Sequence, residues 1–172
     1  MTERTLHRLT FVERPLAGVF AFFADPANLE ALTPPWLRFR ILTPQPVAMR
    51  CGLRIDYRIS LRGLPLPWQS EITAWEPPHR FVDEQRRGPY RLWVHEHLFR
   101  EQDGGTEIVD RVRYAVPGGR LIERLFVDRD LARIFDYRQE RIVAMLGRAE
   151  EAPVASAAAG PTAAVDAGAL RD

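Results

Sequence analysis

The 172-residue chain predicts an α+β fold in which a curved antiparallel sheet of about seven strands wraps around one long C-terminal helix, in the order β-α-α-β6-α. Three observations carry this expectation. Apolar residues repeat with period two through most of the chain, the period changes to that of a helix near each end, and short turn signals separate the strand candidates. Strands that follow one another through short turns form an antiparallel meander.

Composition narrows the class before any residue is placed. With 46% apolar and 27% charged residues, the chain reads as one ordinary globular domain, long enough to bury a core. The net charge is +1 and both signs are interspersed, so no basic face points to nucleic acid or to an anionic membrane. No apolar run reaches the roughly 18 residues of a membrane span, and the opening MTERTLHRLTFVERP lacks a signal-like apolar stretch. A cytoplasmic protein without stable membrane insertion is therefore expected. Cys51, the single cysteine, makes no internal disulfide and reads as a small apolar filler beside Gly52. The sequence has no phosphate-cradling glycine motif, no G-x-S-x-G elbow and no C-x-x-C pair, and no cofactor is expected.

The first strand is TLHRLTFV, which alternates Leu6, Arg8, Thr10 and Val12 against His7, Leu9 and Phe11 and ends before Pro15. Pro15 opens a short helix with Leu16, Val19, Phe20 and Phe23 on one face. Asp25 caps a second helix, with Pro26 as its first residue and Pro34 as its stop. Six strand candidates follow: WLRFRILT, GLRIDYRISLRG, LPWQSEITAW, HRFVDEQRR, YRLWVHEHLF and TEIVDRVRYAV. The second of them separates its faces most plainly, with Leu53, Ile55, Tyr57, Ile59 and Leu61 opposed to Arg54, Asp56, Arg58 and Ser60. Arg120 to Leu146 reads as the long helix, ended by Gly147. Its stripe of Leu121, Ile122, Leu125, Leu131, Ile134, Phe135, Ile142, Met145 and Leu146 calls for a sheet to lie on. From position 148 the sequence turns to Ala, Gly and Pro, too poor in large apolar groups to offset the entropy of ordering. We therefore divide the chain into a ligand-binding domain over 1–147 and a disordered tail over 148–172.

Where sheet and helix fail to touch, this architecture leaves a cavity, and the alternation says which side chains face it. In YRLWVHEHLF, Trp93, His95, His97 and Phe99 share the inner face and Glu96 lies on the outer one. In TEIVDRVRYAV the inner set is Ile108, Asp110, Val112 and Tyr114. A two-residue turn at Asp103-Gly104 sets His97 opposite Asp110. FVDEQ turns Phe81, Asp83 and Gln85 inward, and the RGPY turn brings Asp83 or Gln85 beside Trp93 or His95. One polar cluster of Asp83, Gln85, His95, His97 and Asp110 follows, in which carboxylates satisfy buried imidazoles. Trp36, Tyr57, Trp68, Phe81, Trp93, Phe99 and Tyr114 are the expected walls, with Trp36 of TPPW at the mouth. Arg138, in the long helix, reads as a snorkelling surface residue or as a partner for a buried carboxylate, and we take the surface reading.

Three chemistries fit the cluster. His-x-His presents two imidazoles on one face and Asp110 offers a third metal ligand, but the set lacks a clear further donor, and no metal is expected. A His–Asp pair can act as a general base beside a carbonyl without a cofactor, with His95, His97, Asp110 and Asp83 as the candidates. A satisfied polar layer that orients a ligand's oxygen atoms, or holds the strand register, is the reading we adopt.

The runs LTPPW, FVDEQRRGPY and WVHEHLF, the spacing of Trp68, Ile72 and Thr73, and IFDYR at Ile134 to Arg138 resemble one known group. They are similar to the polyketide cyclase/dehydrase and coenzyme-Q-binding-like branch of the START and birch-pollen-allergen superfamily, SRPBCC. Its small bacterial members are most alike, standing alone or joined to a nucleotide-sugar-epimerase-like domain. The resemblance spans about Leu6 to Leu146, with DEQRRGPYRLWVHEH as its most specific part. It implies the helix-grip fold and a domain that holds an apolar or amphipathic small molecule of lipid, polyketide or isoprenoid type. It implies no single reaction, because the superfamily includes carriers, cyclases and receptors. The alternative is a cofactor-independent cyclase or dehydratase using a His/Asp pair. A third class is a protein-interaction module with a collapsed cavity, whose outer sheet face or tail recruits a partner.

Overall fold

The computed structural model describes residues 3–61, 63–117 and 127–147. Strand β1 (Arg4–Val12) leads into two short helices, α1 (Leu16–Phe23) and α2 (Ala27–Leu32), a 3-10 turn (Pro35–Leu37) and a two-residue strand, β2 (Arg40–Ile41). Five long strands follow in succession: β3 (Arg54–Leu61), β4 (Leu64–Glu76), β5 (Arg80–Arg87), β6 (Leu92–Gln102) and β7 (Gly105–Ala115). Helix α3 (Asp128–Leu146) comes last. The strands form one antiparallel sheet in the order β1-β7-β6-β5-β4-β3-β2, the helix-grip arrangement. Leu121, Ile122 and Leu125 of the expected helix stripe, and the expected tail over 148–172, lie outside the described residues.

The early helices form where the apolar spacing requires them. Leu16, Val19, Phe20 and Phe23 are the buried face of α1. Asp25 Oδ1 accepts the Ala27 N–H at 2.9 Å and so satisfies a free donor at the start of α2. Irregular pairing between Gln69 and Ser70, and again between Ile72 and Ala74, sharpens the twist of β4 and helps curve the sheet.

Packing divides the interior. Val12, Phe20, Phe23, Phe99, Ile108 and Ile142 join β1, α1, β6, β7 and α3. Val112 and Tyr114 of β7 meet Leu131 and Phe135 of α3. Ile55, Tyr57, Trp68 and Ile72 form a separate apolar group on β3 and β4. Because α3 lies along β1 and against α2, it leaves the β3–β4 group facing a gap. The helix also ties down the β1 edge: Gln139 Nε2 donates to the Leu9 carbonyl at 2.8 Å, and Arg8 pairs with Asp136 at 2.9 Å.

Two expectations are corrected. WLRFRILT is a strand only at Arg40–Ile41, because the Pro34-Pro35 pair starts a 3-10 turn that ends at Arg38 in the left-handed region, φ 43°. Cys51 is exposed, since it sits with Gly52 in the turn that leads into β3.

Candidate functional site

The site is set by one turn and its ladder. Asp103 and Gly104 have φ of 47° and 79°, as a two-residue hairpin turn with left-handed residues at both centres requires. Gln102 therefore pairs with Gly105, and the register carries His97 to a position opposite Asp110. On the other side of β6, His95 faces Asp83 and His97 faces Phe81.

Four side chains close a ring on the inner face. His95 Nε2 is 2.8 Å from Asp110 Oδ1, and its Nδ1 is 3.6 Å from Asp83 Oδ2. His97 Nε2 is 3.3 Å from Asp83 Oδ2. Its Nδ1 is 3.0 Å from Asp110 Oδ1 but out of line for a hydrogen bond. From the helix, Arg138 brings Nε to 3.6 Å from Asp110 Oδ2. From β4, Ser70 Oγ donates to Asp83 Oδ1 at 3.2 Å while accepting from Trp68 Nε1 at 3.1 Å and from the Tyr57 hydroxyl.

The groups of this ring shift one another's protonation. Burial pulls Asp110 upward, but the Arg138 charge and the two imidazoles beside it outweigh burial and hold the carboxyl well below its usual range. Asp83 is likewise lowered, burial being outweighed by the His97 hydrogen bond and by the two imidazoles. Burial, reinforced by the neighbouring His97, lowers His95. His97 is raised, since its contacts with Asp110 and Asp83 overcome its burial. His97 therefore holds a proton more readily than His95, and both carboxyls are favoured in their charged form. The bonding pattern assigns the hydrogen of neutral His95 to Nε2, toward Asp110, and leaves Nδ1 as an acceptor.

Between this ring, the two early helices and α3 lies a cavity of about 190 Å³ with largely apolar walls. The family model for polyketide cyclase/dehydrase and lipid transport proteins matches residues 12–134. The chain belongs to this family. Among solved structures the cyclase/dehydrase-family fold seen here is similar to that of Ms6760 from Mycobacterium smegmatis, at 22% identity over 83% of this chain and 90% of that one, TM-score 0.63. CV1439 from Chromobacterium violaceum gives 14% identity over 86% and 98%, TM-score 0.66. Major latex-like protein 151 from Panax ginseng gives 12% over 84% and 97%, TM-score 0.63. Comparison with the curated proteins gives no match. Among the described residues of this family member, no helix is long and apolar enough to cross a membrane.

Of the residues expected at the site, Tyr57, Trp68, Phe81 and Trp93 line the cavity wall, and Asp83, His95 and His97 line its polar side. The other five do not line it. Trp36 turns outward onto α3, where it meets Tyr137 and lies under the Arg133 guanidinium. Gln85 is occupied by its own loop, donating to the Tyr90 carbonyl at 2.7 Å and accepting from its N–H. Phe99 is packed among Phe20, Phe23 and Phe81, and Asp110 stands behind the imidazoles. Tyr114 donates to Asp128 at 2.8 Å, and burial with that bond pushes its hydroxyl up to about 12. Ser70, Tyr90, Phe135 and Arg138 line the cavity without having been expected there.

Arg138 is the most consequential of these, being only 7% exposed where the surface reading placed it in solvent. Its position carries the signal: three residues after Phe135 and four before Ile142, it falls on the buried stripe of α3. For a metal, the third donor that the geometry offers is Asp83 and not Asp110. One ligand atom each from Asp83, His95 and His97 lie within 4.8 Å of one another, a nitrogen and carboxylate set suited to a divalent transition ion.

Proposed function

We propose that the protein binds a compact apolar or amphipathic small molecule between sheet and α3, with the ligand's polar end against His95 and Asp83. The observation that carries this reading is a cavity of about 190 Å³, apolar on most sides and opening on one side onto a closed set of ionisable groups. A dry cavity of about 150 Å³ takes up benzene, so a molecule of one or two fused rings fits the present volume. Membership of a family described for cyclases, dehydrases and lipid transport supports a hydrophobic ligand. Native mass spectrometry of the protein from its own host, beside a denatured sample and a metal analysis, tests the reading. A released organic mass supports it, whereas an empty protein that also takes up no ring-sized apolar probe refutes it.

A second reading draws on one specific feature. His95 lines the cavity and is held through Nε2 by Asp110, the arrangement of a general base oriented by a carboxylate. In a cyclase or dehydratase, Nδ1 would take a proton from the carbon beside a carbonyl, and Asp110 would stabilise the imidazolium. His95→Gln separates the readings: a binder keeps most of its affinity, and an enzyme keeps affinity while losing turnover.

A further inference from the structure

Arg138 is held in an unusual state for a buried cation. Its side chain is 8% exposed, and among the described residues it donates no hydrogen bond. The ion contact with Asp110 Oδ2, at 3.6 Å, is too long for one, and the guanidinium carbon lies over the Phe23 ring, 5.4 Å from its centroid. A guanidinium carries five donors in a planar fork that matches two oxygens side by side. Burying such a group without partners is costly, and the cost is recovered when something supplies them. Asp110 does not, because Oδ1 is engaged by His95 Nε2 and Oδ2 stands off at 3.6 Å. Arg138 lines the cavity, and its Nε is buried there without a hydrogen-bond partner, so the unmet donor and the cavity belong to one site.

Resting on the binding reading above, we propose that the ligand carries an anionic oxygen group, a carboxylate or the enolate of a 1,3-dicarbonyl, which docks on the Arg138 fork while its apolar body lies against Trp68 and Trp93. The location suits a monoanion. The guanidinium carries a single positive charge, so one anionic oxygen group matches it.

Isothermal titration of the full chain, with a chelator present to keep metal off Asp83, His95 and His97, tests this. The probes are 2-naphthoate and 2-naphthalenemethanol as one matched pair, and 1,3-indanedione and indane as the other. A charged hydrogen-bonded contact predicts that at least one anion binds about ten- to a hundredfold more tightly than its neutral partner. The pair that gains identifies carboxylate or enolate as the source. In Arg138→Gln the preference vanishes through loss of the anion's affinity alone, and in Arg138→Lys part of it survives. Equal affinities within both pairs in the wild type overturn the proposal but leave the binding reading standing, as does a preference unchanged in a folded Arg138→Gln. Failure of all four probes, neutral ones included, overturns both. Should Arg138→Gln not fold, the wild-type comparison decides.

Discussion

The two faces of the sheet carry similar charged groups in opposite circumstances. On the outer face Glu71 joins Arg54 and Arg86, and Glu96 joins Arg80 and Arg111, at 2.7–3.2 Å, in a ladder running from β3 to β7. On the inner face Asp83, His95, His97 and Asp110 meet at similar distances. The two sets are sequence neighbours: Glu96 stands between the two histidines, and Arg111 follows Asp110. Period two alone decides which charge meets water. Outside, solvent and salt screen each pair, which then serves mainly to favour one cross-strand register. Inside, each group depends on its partners, and the arrangement has consequences for ligand and proton alike.

Removing one inner partner is the strongest way to break this contrast. Asp110→Ala leaves Arg138 and His97 facing each other without the intervening carboxylate, and we expect a loss of about 3–5 kcal/mol in urea unfolding. A loss no larger than that of an outer-face variant would mean that water already screens the ring.

Next in size are two opposite pH effects. His97 is raised in the folded state, so its contribution is complete below the unfolded value of about 6.5 and disappears as pH rises through the folded value. His95 is lowered, so its contribution is complete above about 6.5 and disappears as pH falls through the folded value. His97→Gln should flatten the alkaline side of the stability profile and His95→Gln the acid side. Urea midpoints across this range check the signs, and changes of the same sign in both variants would contradict the opposite shifts of the two imidazoles.

The smallest effect belongs to the outer face. Glu96→Gln breaks contacts with Arg80 and Arg111 yet should cost less than about 1 kcal/mol, with the difference shrinking in high salt. A salt-independent loss matching that of Asp110→Ala would erase the distinction between the faces.

What was legible in the sequence follows the same alternation. The strands, the pairing of His97 with Asp110 and the inward set of β6 can be read because period two and an Asp-Gly turn leave one register. Two residues escaped for local reasons. Trp36 sits in a turn forced by two prolines, where alternation says nothing, and Gln85 finds both its partners on the Tyr90 backbone before reaching the cluster. Arg138 escaped for another reason: a charged residue on a helix reads as exposed unless its place on the apolar stripe outweighs its chemistry. The cavity volume depends on where α3 settles against β1 and α2, a tertiary quantity with no counterpart in any window of sequence.

The stitching of α3 onto β1 also bears on how copies of the chain behave in company. A sheet that does not close into a barrel has two edges, and an open edge invites a strand from another molecule. Here the Leu9 carbonyl is already taken by Gln139, with the Arg8–Asp136 pair beside it. At the opposite edge β2 pairs with Tyr57 and Arg58 of β3, and the backbone of Leu42 and Thr43 extends that cover to Asp56. The two edges are thus guarded differently, one by a helix stitched onto a long strand and the other by a short strand and the irregular segment that follows it.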